Sequence, residues 1–250
     1  MRSAWSLVLA LALVGACGDE GSGDDDGIAD GADGGDGGDG GPTQPLPYRE
    51  SFDQDSSTWP SPWRTLNQDI IEHRVEGGRA RFTSRSERVA RMGLGGYSAV
   101  DVDVLVTVTF EDFTSQGFGF YARQNGGSLT DTDPPGQGYS MFPEGFISYG
   151  IGVWRERDGI EEILAHGNID FEVVNGEPYK CRLQVEQMEG ATAVRAKMWP
   201  AEADEPEGWA VEAMDDTPAL QNAAGSFAVD NYSLAEGAAI YMDDIEITEL

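Results

Sequence analysis

Four side chains of this 250-residue sequence have the types and spacing of a recognition surface. Tyr121 and Arg123 alternate with Phe118, Phe120 and Ala122, so a strand that buries the Phe set turns Tyr121 and Arg123 outward. Tyr139 and Trp154 fall on the next candidate strands, with Tyr149 near by. Aromatic rings pack against the C–H faces of ring-shaped polar ligands, and an arginine adds hydrogen bonds to hydroxyls. The same rings are also what fills a packed core, and the sequence leaves both uses open.

A second candidate is basic. Arg74, Arg79, Arg81, Arg85, Arg88 and Arg91 crowd into one stretch, opposed there by Glu76 and Glu87. Lys180 and Arg182 fall opposite the Cys181 face of one candidate strand, and Arg195 and Lys197 fall opposite Val194, Ala196 and Met198 on the next. If these strands pair through a turn at Glu189-Gly190, all four cations share one surface with Trp199 near by. In an acidic chain such a patch either focuses anionic ligands such as acidic polysaccharide or neutralises its own carboxylates.

Other chemistry is scarce. The chain has 45 acidic against 16 basic side chains, a formal charge of −29. Nucleic acid is thereby excluded as a partner, because phosphates are bound through Lys and Arg that displace their counterions. Two cysteines make no disulfide scaffold, and the two histidines, His73 and His166, leave few options for a His-based metal site or a Ser-His-Asp triad. Cys181 alternates in phase with Tyr179, Leu183 and Val185, so it reads as a buried thiol acting as a small hydrophobe. No phosphate-binding loop, H-E-x-x-H or G-x-S-x-G occurs, and no catalytic residue or cofactor is assigned.

The elements that must carry these residues begin after two non-globular segments. Residues 1–17 open with Arg2, continue through an apolar run from Trp5 to Ala16 and end Leu13-Val14-Gly15-Ala16-Cys17. At ~1.5 Å per residue that run falls short of a ~30 Å hydrocarbon core, so it is a signal peptide and not a span. Its end resembles the lipobox of bacterial lipoproteins. The resemblance implies cleavage before Cys17, lipidation of Cys17 and anchoring in the cell envelope. Gly18-Asp19 in place of an Asp directly after the cysteine points to the outer membrane. Residues 18–47 are a tether: 18–41 alone hold eleven Gly and nine acidic residues with no basic one, so the segment has almost nothing to bury. Within it, Asp24-Asp25-Asp26-Gly27-Ile28-Ala29-Asp30-Gly31-Ala32-Asp33 resembles one degenerate thrombospondin type-3 calcium repeat, with Ser22 where the first Asp belongs. A second calcium candidate is Asp243-Asp244 beside Asp53.

Residues 48–250 form one domain that reads as β throughout. Val100, Val102, Val104, Val106, Val108 and Phe110 alternate with more polar residues, the mark of a strand with one buried face. Shorter runs follow at Gly117–Arg123, Tyr139–Phe142, Ser148–Glu156, Gly159–Ala165, Pro178–Met188, Ala191–Trp199, Trp209–Ala213, Gly225–Val229 and Ile240–Thr248. Turn signals at Glu76-Gly77-Gly78, Asn125-Gly126-Gly127, Asp158-Gly159, Asn175-Gly176 and Glu189-Gly190 separate strands. No run at helical spacing appears. The expected fold is all-β, a two-sheet antiparallel sandwich.

Three segments sharpen that reading: Val194-Arg195-Ala196-Lys197-Met198-Trp199-Pro200, Glu205-Pro206-Glu207-Gly208-Trp209, and Ile240-Tyr241-Met242-Asp243-Asp244-Ile245-Glu246-Ile247. They resemble the last third of concanavalin A-like lectin/glucanase domains, a jelly-roll group that includes laminin G-like modules. Glu50-Ser51-Phe52-Asp53 with Trp59 and Trp63 is similar to the opening strand of such domains, and Gly117-Phe118-Gly119-Phe120-Tyr121-Ala122-Arg123 to a central one. The resemblance implies a glycan or envelope-protein partner. It implies no single activity. Glucanases of the group carry E-x-D-x-E on one strand; Asn168-Ile169-Asp170-Phe171-Glu172 has the spacing but places an amide where the nucleophile belongs. Arg85-Ser86-Glu87-Arg88 is faintly similar to one alginate-lyase motif, without the other two. The expectation is a lipid-anchored, non-catalytic binding module. The alternatives are a polysaccharide-cleaving hydrolase or lyase, and a structural or adhesion component of the envelope.

Overall fold

A computed structural model describes residues 43–147 and 150–250. The signal segment, Cys17, the calcium-like repeat and Tyr149 lie outside those residues. Fifteen strands run in chain order: β1 Tyr48–Glu50, β2 Trp63–Thr65, β3 Ile70–Glu76, β4 Arg79–Ser84, β5 Arg88–Ala99, β6 Val102–Phe110, β7 Gln116–Gln124, β8 Gly138–Pro143, β9 Ile151–Arg157, β10 Ile160–Gly167, β11 Pro178–Gln187, β12 Thr192–Pro200, β13 Val211–Asp215, β14 Gly225–Ser233 and β15 Ala239–Glu249. The described residues hold no α-helix, only two short 3₁₀ turns.

The strands form two antiparallel sheets. One has eight strands in the order β13-β12-β11-β6-β15-β4-β3, with β1 also on β15. The other has seven, in the order β10-β9-β8-β7-β14-β5-β2. The valine ladder builds the space between them. Val102, Val104, Val106, Val108 and Phe110 are fully buried, and Cys181, Leu183 and Val185 continue the layer on β11. Phe118, Phe120, Met141, Val153, Phe227 and Val229 close it from the seven-stranded sheet. Burying each such side chain is worth roughly 1.5–3 kcal/mol. The Cys181 thiol is fully buried, which pushes its pKa well up and removes it as a nucleophile.

Sequence and structure differ at several places. The strand expected from Val100 begins at Val102, because Val100 and Asp101 form the bend from β5. Strands β2, β3, β4 and β5 went unread. β5 is among the longest strands, but Arg91, Gly93, Gly95 and Gly96 break its apolar alternation. β14 extends to Ser233, past Asp230 and Asn231, since a buried arginine opposite makes that aspartate admissible in the sheet.

The basic surface on β11 and β12 forms as expected, but three of its four cations are already neutralised by carboxylates. Arg182 faces Lys197 across the pair. Arg182 is paired with Asp103 and Glu205, Lys197 with Glu205, and Arg195 with Glu186 and Glu212. Among the described residues no group of three or more His, Cys, Asp or Glu is arranged to hold a metal ion. The Asp244 backbone N–H donates to Asp243, but burial and the charges of Asp244 and Asp53 together raise the Asp243 pKa.

Candidate functional site

The outward face of the seven-stranded sheet is floored by glycine. Register places Gly117, Gly119 and Tyr121 of β7 beside Tyr232, Asp230 and Ala228 of β14. Ser140 of β8 sits between Tyr121 and Trp154, and Trp154 pairs with Ile163 of β10. The glycines let large side chains lie flat on the main chain. A Cβ at Gly119 would collide with the Phe142 ring. One at Gly152 would lie 2.9 Å from the Trp154 indole nitrogen, and one at Gly117 would lie 2.8 Å from Glu144 Cγ.

One half of this face is a sealed ionic cluster. The Arg91 guanidinium donates to both carboxylate oxygens of Asp230, at 2.7 and 2.8 Å, and to Glu156 at 2.6 Å. All three side chains are fully buried. The Arg91 carbon lies 4.1 Å from the centre of the Tyr121 ring, a cation–π contact. Residues of the β7–β8 connection cap the cluster: the Leu129 amide donates to Glu156, and Asn67 joins Ser128 to the Val89 carbonyl. Burial opposes the arginine's charge. Asp230, Tyr121 and Glu156 outweigh it and hold Arg91 well above the ordinary arginine value. Burial also lifts Asp230 and Glu156 despite the arginine.

The other half is open. A cavity of about 170 Å³ is lined by Val89, Phe142, Glu144, Phe146, Trp154, Glu161 and Tyr232. Its walls are aromatic: Phe142 packs edge-on to Trp154 at 6.5 Å, and Phe146 lies 5.3 Å from Tyr232. Glu161 reaches it from β10, accepts a hydrogen bond from the Tyr121 hydroxyl and stands 3.8 Å from Arg91. Burial raises the Glu161 carboxyl to about 7; Arg91 pulls it back, and Asp230 and Glu156 push it up again. Burial, then the charge of Glu161, raises Glu144 to about 8. At neutral pH Glu144 is therefore mostly a neutral acid that can donate a hydrogen bond, while Glu161 sits near its midpoint.

The four expected recognition residues do not share a surface. Tyr121 does face away from the Phe118 and Phe120 layer, but it is fully buried beneath Phe142 and Glu161. Trp154 lies beside it on the same face, half-buried on the cavity wall. Arg123 was expected outward with Tyr121 and instead turns between the sheets. β7 holds one extra residue there, since Tyr121 pairs with Ala228 but Gln124 with Ser226, and Arg123 adopts φ +54°. Arg123 donates to the Val100 and Leu220 carbonyls and to Thr192, and it is buried. Tyr139 is core, its hydroxyl donating to Asp215 at 2.7 Å. Of the four, only Trp154 lines the cavity. Phe142, Glu144, Phe146, Glu161 and Tyr232 were missed; the one cue for them was the alternation of Gly with Phe in β7, which marks a face left bare for neighbouring rings.

The Asn168, Asp170 and Glu172 triple lies in the irregular link between β10 and β11, not on a strand, so its side chains share no sheet face. Asn168 and Asp170 help line a separate groove of about 350 Å³ with Trp199 and Trp209. There Lys197 sits 4.7 Å from the Trp209 ring centre and donates to the Pro206 carbonyl.

No family model and no curated protein matches the sequence. Solved structures do match the fold. A Bacillus subtilis protein of unknown function with a galectin-like fold superposes with a TM-score of 0.58 at 11% identity, covering 81% of this chain and 94% of that one. Lectin II from Ulex europaeus gives a TM-score of 0.50 at 13% identity, covering 81% and 97%. A xylan beta-1,4-xylosidase from Bacillus halodurans gives 0.53 at 12% identity; the match covers 84% of this chain and only 40% of that enzyme. Identities this low carry the architecture alone. The chain is thus an antiparallel jelly-roll sandwich of the kind that solved lectins and glycoside-hydrolase proteins share.

Proposed function

We propose that the domain is a carbohydrate-recognition module, held at the cell envelope by lipid on Cys17 and spaced from the bilayer by the acidic glycine segment. One observation carries the recognition half: the cavity between Phe142, Phe146, Trp154 and Tyr232, with Glu144 and Glu161 on its walls and Phe142, Glu144 and Trp154 lying flat on glycine backbone. Flat rings suit the C–H faces of a sugar, and carboxyl groups suit its hydroxyls. The lectins among the structural neighbours fit that reading. The lipobox-like end of the leader supports the anchoring half, and the outer membrane is the location inferred from Gly18-Asp19. The test is a glycan array probed with the full-length protein in detergent. Binding that Trp154→Ala abolishes supports the site, and no binding to neutral, basic or acidic glycans overturns it. Palmitate labelling lost in Cys17→Ala tests the anchor.

A second reading rests on the raised pKa values of Glu144 and Glu161, which suit an acid and a base in a polysaccharide-cleaving reaction. Release of new sugar ends from a polysaccharide panel, lost in Glu144→Gln, would establish it.

A further inference from the structure

Charge and shape at the cavity restrict the ligand further. Seven residues line it, and none carries positive charge: four aromatic rings, one valine and two carboxyl groups. Elsewhere on the surface Glu72 and Glu76 of β3 and Glu186 of β11 are matched by arginine. Here Glu144 forms no ion pair and accepts no side-chain hydrogen bond among the described residues. Among the described residues the one ion pair of Glu161 is with Arg91, which lies against the Tyr121 ring and is already held by Asp230 and Glu156. Tyr232 and Tyr121 are neutral hydroxyls at neutral pH, and Glu87 beyond Tyr232 adds only further negative charge. In the cavity, burial and mutual repulsion keep Glu144 protonated and Glu161 partly so. An ammonium placed between them relieves that repulsion and lets both ionise, so that the ring quadrupoles attract the cation and the carboxylates formed accept its N–H bonds.

Resting on the carbohydrate reading, we propose that the Phe142–Phe146–Trp154–Tyr232 cavity selects a sugar bearing a free ammonium group, a de-N-acetylated hexosamine unit, with the ammonium between Glu144 and Glu161. Uronates and sulfated sugars would meet two carboxyl groups and no cation. N-acetylated sugars would bring a neutral amide where a charge is wanted. Of the four cations on the β11–β12 surface, Arg182, Arg195 and Lys197 are already paired with carboxylates, which leaves anionic glycans little to bind there.

The test is calorimetry on the full-length protein in detergent at pH 6 and about 0.15 M salt, using glucosamine tetramer and its fully N-acetylated counterpart. The expected result is at least tenfold tighter binding of the amine form. Glu144→Gln should remove at least tenfold of that affinity. Glu202→Gln, the same substitution on an exposed turn, should leave it within twofold and so separates the cavity from the bulk attraction of a −29 chain for any polycation. Thermal unfolding of the two variants verifies that both are folded. Equal binding of the two tetramers overturns the ammonium selection and leaves the carbohydrate reading standing. Tighter amine binding that Glu144→Gln does not touch overturns this cavity as its site. Propylammonium chloride binding as tightly as the tetramer overturns the sugar. Failure of every glycan on the array, with no tetramer binding, overturns both readings.

Discussion

The outward faces of the two sheets both carry charge, and they treat it in opposite ways. On the eight-stranded sheet most arginines are exposed or half-exposed and find a carboxylate on their own or a neighbouring strand: Arg74 and Arg81 with Glu72 and Glu76, Arg182 with Asp103, Arg195 with Glu212. Screened by water, such pairs are worth little. On the seven-stranded sheet a single arginine is sunk among three carboxyl groups, two of them fully buried, and further along the same face Glu144 is left with none. The first arrangement keeps an acidic protein locally neutral. The second gathers carboxyl groups in a low-dielectric place, at a cost to the fold that a surface without a task would not carry.

The contrast can be broken most forcefully at Arg91. Arg91→Met should destabilise the domain by about 3–5 kcal/mol, because Asp230 and Glu156 are left buried without a counter-charge; urea denaturation measures it, and a loss under about 1 kcal/mol would mean the cluster is wetter than described. Next comes the glycine floor. Gly119→Val should cost about 1–3 kcal/mol by overpacking and push the Phe142 ring away from the cavity wall, visible as lower stability together with altered near-ultraviolet circular dichroism.

Glu144 sharpens the comparison through pH. Its folded pKa is raised to about 8, so the folded state holds a proton that the unfolded chain has already released above about 4.5. Stability from this group therefore falls as pH rises between those values. Glu144→Gln should flatten the slope of unfolding free energy over pH 5–8, and an unchanged slope would refute the assignment. The smallest effect belongs to the other sheet. Arg195→Ala, although it breaks two ion pairs, should change stability by less than about 1 kcal/mol, and high salt should shrink even that difference.

Much of the architecture was legible because it rests on two local signals. The valine ladder states its buried face outright, and paired positive-φ positions such as Asp158-Gly159 and Gly77-Gly78 announce their hairpins. Strands whose outward faces carry the site were harder. β5 and the second half of β14 look polar or glycine-rich in isolation, because Arg91 and Asp230 make sense only opposite each other, 139 residues apart in the chain. The same limit governed the recognition residues. Alternation put Tyr121 on the correct side of its strand, but it could not reveal that Phe142 and Glu161 would cover it. One inserted residue in β7 was enough to send Arg123 to the other side.

The bare main chain under the aromatic rings has an engineering consequence. Where a pocket rests on side chains, changing its depth means changing the groups that touch the ligand. Here the wall rings themselves rest on peptide backbone, and at Gly152 the first obstacle to an added methyl is the movable edge of the Trp154 indole. Alanine at such a position would lift the ring above it, so the spacing of the walls is set by residues that touch no guest.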